Sequence, residues 1–215
     1  LTPLAETLAQ EQGLAVYAEL EPALDRLSIA YILAAFAELG ADFSPGQRFT
    51  VNGLAEELEI ADIHRRLFER LLDMLAEEGL LERDHALWRV VQMMQPADAK
   101  SPLTPLWKRG DFDAECAALL EQFPACVAEL GLLRRCGAQL AAVLRGEVDA
   151  LSLLFGEHSS AGELYGESPY ARVVNHLLAD AVAAMAARQP SGRCLRVLEI
   201  GAGTGGTTQA VLPSL

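Results

Sequence analysis

Apolar side chains recur at three- and four-residue steps along most of this chain, which predicts a protein built mainly of α-helices. Residues 4–40 read as helix, with Leu20, Leu24, Leu27 and Tyr31 on one face. From Ile29 to Leu39 the apolar positions run nearly all round, so this stretch is expected to be buried on several sides. Gly40 is its expected stop. Residues 43–49 carry Pro45 and Gly46 and read as a loop.

A compact unit is expected next. Residues 50–58 read as a short helix with Asn52 as its cap. Residues 61–79 read as a longer helix, with Ile63, Leu67, Leu71, Met74 and Leu75 on one face and Gly79 ending it. Residues 80–91 alternate weakly around Asp84-His85 and predict a β-hairpin from which Trp88 and Val90 pack back. Helix, turn, helix and hairpin is the winged-helix order.

Residues 93–101 are polar, and Pro102 and Pro105 follow, which suggests a linker. Helical periodicity returns over residues 111–144, with Leu119, Leu120, Phe123, Val127, Leu130, Leu133, Leu140 and Val143 as its stripe and Pro124 as a break or a helix start. Residues 151–168 are less regular and hold Gly156, Gly162 and Gly166. Residues 169–188 predict a helix, Pro190-Ser191-Gly192 a turn, and residues 194–200 a buried strand. Three parts follow from this reading: a helical part over 1–100 with the winged-helix-like unit at about 50–91, a helical lid or connector over 101–190, and the start of an α/β core over 191–215.

The chemistry concentrates at that last junction. The string Leu198-Glu199-Ile200 runs at once into Gly201-Ala202-Gly203-Thr204-Gly205-Gly206, and residues 207–212 open a helix. Gly201 permits a tight reversal after the strand, Gly203 removes a side chain where a cofactor approaches the backbone, and Gly205 lets the helix pack closely. Gly201, Gly203 and Gly206 also satisfy the dinucleotide spacing, a pattern that is weak by itself. A carboxylate at Glu199 beside such a turn needs a donor partner if it is buried.

Charge and composition narrow the partners. Over 215 residues the formal net charge is -13, and such a surface repels phosphate backbones and acidic membranes while favouring a basic partner patch. No apolar run reaches the ~18 residues that a membrane helix needs. Cys116, Cys126, Cys136 and Cys194 form no C-x-x-C pair and no zinc spacing, so they read as reduced, mostly buried cysteines of a cytosolic protein. The chain opens on Leu rather than Met, which suggests a piece of something longer.

The full string LEIGAGTGGTT resembles the first motif of class I S-adenosylmethionine-dependent methyltransferases. Upstream, Arg145-Gly146, residues 151–155, Leu164-Tyr165, Ser168-Pro169, Ala171-Arg172 and Asn175 resemble the segment preceding the core in C-methyltransferase domains of modular polyketide synthases. The resemblance spans roughly residues 15–215 and is least specific at the N-terminal end. It implies a helical lid over a Rossmann-like core, S-adenosyl-L-methionine as cofactor, and methylation of the α-carbon of a β-ketoacyl chain on an acyl carrier protein, with neighbouring synthase domains as further partners. It gives Glu199, Gly201, Gly203 and Gly205 cofactor-binding roles. Tyr165, Tyr170, Asn175 and His158 become candidates for the substrate or cofactor pocket. The family's catalytic His and its acidic partner are expected beyond Leu215, and no metal ligands are read here; His64, His85 and His176 are read as structural or solvated.

Two rival readings accompany this one. A winged helix can serve a DNA-binding regulator, but residues 61–79 set Asp62, Glu69, Asp73, Glu77 and Glu78 among His64, Arg65, Arg66 and Arg70, a poor phosphate-facing surface. Alternatively, the chain belongs to a decayed methyltransferase kept as a scaffold. A lone strand does not build a cofactor site by itself, since open α/β sheets bind ligands across several strand ends, and an unpaired apolar strand invites association.

Overall fold

The computed structural model describes residues 2–91, 111–156, 161–190, 192–193 and 195–215. The expected linker at 93–101, His158 and Cys194 lie outside them. Eleven helices are seen among the described residues: α1 (Thr2–Glu11), α2 (Tyr17–Leu39), α3 (Val51–Glu57), α4 (Arg65–Glu77), α5 (Phe112–Gln122), α6 (Val127–Ala138), α7 (Leu140–Leu144), α8 (Ala150–Phe155), α9 (Ala161–Glu167), α10 (Pro169–Ala187) and α11 (Gly206–Val211). Three short strands, β1 (Arg48–Thr50), β2 (Leu81–Asp84) and β3 (Leu87–Val90), complete a mainly helical protein. None of the described helices is long and apolar enough to cross a membrane.

The chain divides into two compact units. One comprises Pro22–Ala118 and Leu133–Leu153. Its core gathers on Phe36, whose ring meets Phe68 at 5.4 Å and Phe43 at 5.6 Å. Leu54, Leu58, Leu72 and Leu75 are buried with them. Tyr31 stacks on Phe112 at 4.1 Å, and the two rings lie nearly parallel. Ile29 to Leu39 is largely buried, as its all-round apolar pattern predicts.

The small sheet of this unit runs in the order β1-β3-β2, all antiparallel. Leu87 and Arg89 face out while Trp88 and Val90 are buried, so the hairpin keeps the expected period of two. His85 turns it with a left-handed φ of 54°. Arg83 lies over the Trp88 ring at 5.3 Å, where a guanidinium is attracted by the ring face.

Several sequence expectations need correction. The loop at 43–49 holds the first residues of β1, which pairs with β3 through Arg48–Arg89, Phe49–Trp88 and Thr50–Leu87. Its three residues are too short for a periodic signal. The cap of α3 is Thr50, whose hydroxyl accepts from the Gly53 amide at 3.1 Å, and Asn52 already lies inside the helix. The 61–79 helix starts only at Arg65, after a 3-10 turn at Asp62–His64, and Ile63 is exposed. Phe68 and Leu72 take the buried face instead of Ile63 and Leu67.

The other unit comprises Leu1–Glu21, Leu119–Leu132 and Leu154–Leu215. Here α1 and α9 pack on α10, and α11 packs on both α9 and α10. The α10 helix begins on a strong signal. Ser168, almost fully buried, accepts the Ala171 amide at 3.1 Å, and Pro169 occupies the first turn, where its missing N–H costs nothing. Gly13, with φ 70°, interrupts the long helix expected over 4–40. Pro124 falls between α5 and α6 as predicted, but 111–144 breaks into three helices rather than two. The irregular stretch at 151–168 contains α8 and α9.

Of the strand expected at 194–200, the described residues 195–200 form none. Residues 195–200 carry no ladder hydrogen bonds, and Leu198 and Ile200 are 83% and 88% exposed. A strand is defined by its neighbours' backbone groups, and among the described residues no strand pairs with this segment.

Candidate active site

The glycine turn is assembled by backbone conformation. Gly201, Gly203 and Gly205 have φ values of 77°, 56° and 77°, all in the left-handed region that side chains with a Cβ avoid. The Gly205 amide donates to the Ala202 carbonyl at 2.9 Å and closes the turn. Gly205 then stands as the N-cap of α11, and its carbonyl accepts the Gln209 amide at 2.9 Å. A Cβ added at Gly201 or Gly205 would meet nothing within 4 Å, so the outer face of the turn is open.

The structure redistributes the roles expected of these glycines. Gly203 is needed for its conformation, since a Cβ there would meet only the Gly201 carbonyl oxygen, at an ordinary 3.8 Å. Close packing falls to Gly206 rather than Gly205. A Cβ on Gly206 would stand 2.8 Å from the Tyr165 carbonyl oxygen and 3.3 Å from the Gly166 nitrogen, so the first turn of α11 lies directly on the backbone of α9.

Two adjacent threonines tie this helix start on two sides. Thr207 donates its hydroxyl to Asn175 Oδ1 at 2.8 Å, and Asn175 Nδ2 donates to the Tyr165 carbonyl at 3.0 Å. Thr208 donates its hydroxyl to the Glu199 carboxylate. Glu199 is otherwise exposed. Its carboxylate therefore sits beside the turn with acceptor capacity left over.

The pocket candidates separate. Asn175, only 6% exposed, lines a polar cleft of about 920 Å³ together with Gly166, Arg172, His176, Thr204, Gly206 and Gln209. Tyr165 and Tyr170 are largely exposed and do not line it. Tyr165 contributes its backbone carbonyl, and Tyr170 donates its backbone N–H to the Tyr17 hydroxyl at 3.4 Å. A second, apolar groove of about 540 Å³ runs among Leu178, Val182, Leu195, Val197, Leu198 and Val211.

Sequence reasoning missed Tyr17, Glu129 and Thr207, and gave Gly206 only a place in the dinucleotide spacing. Tyr17 donates its hydroxyl to the Glu129 carboxylate, and burial first, then this partner, push its phenol above the ordinary range. A helical residue that meets another 112 positions away leaves no local signal. Gly206 and Thr207 were visible as letters of GTGGTT, but only the packing of α9 assigns them their parts.

The turn fits S-adenosylmethionine. Its outer face has room where three Cβ atoms are missing, and the exposed Glu199 carboxylate offers an acceptor for a cationic ligand. Among the described residues, no group of three His, Cys, Asp or Glu side chains is placed to hold a metal ion.

No protein-family model matches the chain, and no curated protein does. Solved structures do. All of this chain superposes on the CurJ carbon methyltransferase at 34% identity and a TM-score of 0.85, covering 54% of that protein. The DszA carbon methyltransferase matches 97% of the chain at 27% identity and a TM-score of 0.76, with 51% of its own length covered. The CMeT domain of the citrinin polyketide synthase matches 98% of the chain at 25% identity and a TM-score of 0.77, with 53% covered. The chain thus spans about half the length of each of these structural neighbours.

Proposed function

We propose, from the premise that this chain shares its architecture with carbon methyltransferase domains such as that of the citrinin polyketide synthase, that it is the turn-bearing half of an S-adenosylmethionine-dependent C-methyltransferase. The observation that carries this reading is the run of three left-handed glycines, open on its outer face, beside the exposed carboxylate of Glu199. We take the substrate to be a β-ketoacyl chain on an acyl carrier protein, and neighbouring synthase domains to be the further partners.

Glu199, Gly201, Gly203 and Gly205 hold the cofactor in this reading. With the cofactor bound, the backbone of the turn would meet its methionine portion and Glu199 would help orient it. When bound, S-adenosylmethionine supplies a methyl group on a sulfonium. The substrate's α-proton is acidified by the flanking ketone and thioester. A base would take that proton and keep it, leaving the α-carbon as the nucleophile for the methyl group the cofactor would supply. Alignment and oxyanion stabilisation supply most of the acceleration. We assign that base to no described residue. Tyr165, Tyr170 and Asn175 stay our candidates for contact with substrate or cofactor, by the same resemblance.

The helix–helix–hairpin of α3, α4, β2 and β3, with β1 as third strand, serves packing as a winged helix in this reading. Three of its arginines are engaged by acids: Arg65 with Asp62 at 3.4 Å, Arg70 with Glu77 at 2.6 Å, and Arg83 with Glu69 at 3.6 Å. That disfavours a nucleic-acid surface.

The test is made on the parent domain at its neighbours' length. Incubated with a β-ketoacyl carrier and methyl-labelled S-adenosylmethionine, it is expected to place one label on the α-carbon, and Gly203→Val is expected to abolish both transfer and cofactor binding. A parent domain that neither binds the cofactor nor transfers its methyl overturns the enzymatic reading and leaves the decayed scaffold.

A further inference from the structure

We infer that Asn175 is a positioning residue whose side-chain amide staples the start of α11 to the end of α9 and thereby sets where the glycine turn stands. The inference rests on the reading of that turn as the cofactor site.

The argument begins with what the two helix ends lack. The α9 helix ends at Glu167, so the Tyr165 carbonyl is among its last four and has no acceptor role within the helix. The α11 helix begins at Gly206, so Thr207 lies in its first turn. Asn175, from the buried face of α10, reaches both. Its Nδ2 donates to the Tyr165 carbonyl at 3.0 Å, and its Oδ1 accepts the Thr207 hydroxyl at 2.8 Å.

The chemistry allows few substitutes. A carbonyl oxygen only accepts, so the group facing Tyr165 must be a donor. The same side chain must accept from Thr207 on its other side. An aspartate would set carboxylate oxygen against carbonyl oxygen. An apolar residue would leave the carbonyl and the hydroxyl without this partner, in a place where a lost hydrogen bond is expensive. Both partners also fix which way the amide faces.

Gly206 completes the arrangement from the other side. Its missing Cβ lets α11 descend onto the same Tyr165 carbonyl, with 2.8 Å to the position a methyl would occupy. One carbonyl thus receives the amide of Asn175 and sets the closest approach of α11. Because Gly205, the last left-handed glycine, is the N-cap of α11, a shift of that helix moves the turn with it. With both its oxygen and one N–H engaged, Asn175 acts through the turn and does not need to touch the substrate.

The test uses the parent domain and three variants: Asn175→Asp, Thr207→Val and Thr207→Ser. Thr207→Val keeps the shape and removes the donor, and Thr207→Ser restores the hydroxyl. Two quantities are read: amide hydrogen exchange over residues 203–209, without cofactor, and the Kd and kcat for S-adenosylmethionine. Asn175→Asp and Thr207→Val are expected to speed exchange and raise Kd by about fivefold to tenfold, the worth of one hydrogen bond, with kcat at saturation kept. Thr207→Ser is expected to match the wild type in both. Faster exchange with an unchanged Kd would make the staple a structural detail only, and a lowered kcat with an unchanged Kd would place Asn175 at the reacting atoms; either result overturns the inference. Unchanged exchange overturns it as well. If the wild-type domain takes no S-adenosylmethionine, the functional proposal fails, and exchange alone then decides whether Asn175 holds the turn.

Discussion

Gly206 and Tyr165 meet backbone to backbone: a methyl group on the glycine would lie 2.8 Å from the tyrosine's carbonyl oxygen. Backbone has nowhere to go, so Gly206→Ala must push α11 off α9. Overpacking of this kind costs about 1–3 kcal/mol. A lower urea midpoint is expected, together with weaker S-adenosylmethionine binding by the parent domain. Equal midpoints would mean that α11 slides freely.

The glycines of the turn and of α9 are expected to respond in opposite directions. Gly203→Ala forces a Cβ into a φ of 56° and should destabilise by about 1–2 kcal/mol. Gly166→Ala, inside α9 with nothing within 4 Å of its Cβ, should instead be neutral or stabilise by up to about 1 kcal/mol through helix propensity. Paired denaturation curves of the two variants check this contrast.

Ser168 is expected to matter as the cap of α10. Ser168→Ala removes the acceptor for the Ala171 amide and should cost about 1 kcal/mol, whereas Ser168→Thr, which keeps a neutral hydroxyl cap at this buried position, should retain most of the stability of α10. The order of the three thermal midpoints tests it.

Cys126 supplies a pH-dependent prediction. Burial first, then the nearby Glu129 carboxylate, push its thiol up to about 11. In the unfolded chain a cysteine titrates near ~8.5. The folded state therefore holds this proton more tightly, and the stability it contributes is complete below about 8.5 and lost as pH rises towards about 11. Iodoacetamide at pH 8 should leave Cys126 unmodified in the native protein and alkylate it in urea. Peptide mapping reads both states.

Much of this was legible before the structure. All-round apolarity announced the buried run at Ile29 to Leu39, the alternation of Trp88 and Val90 announced the hairpin, and LEIGAGTGGTT announced the glycine turn. What escaped depends on partners distant along the chain. Thr50 caps α3 because β1 ends there against Leu87, and three residues of strand carry no period. The apolar segment at 195–200 reads as a strand from its composition, yet a ladder needs a neighbour as well as a composition. Within the site, the letters marked Asn175, but its two partners lie in helices that only folding brings beside it.

The left-handed geometry of Gly201, Gly203 and Gly205 also bears on how this segment tolerates genetic change. Every amino acid within one base change of a glycine codon carries a Cβ, so no single missense step at any of the three leaves the backbone relaxed. Elsewhere a protein can drift through near-neutral neighbours; here each step is a loss. A lineage freed from the need to bind at this turn should therefore show its release here early, before its helical surfaces record anything.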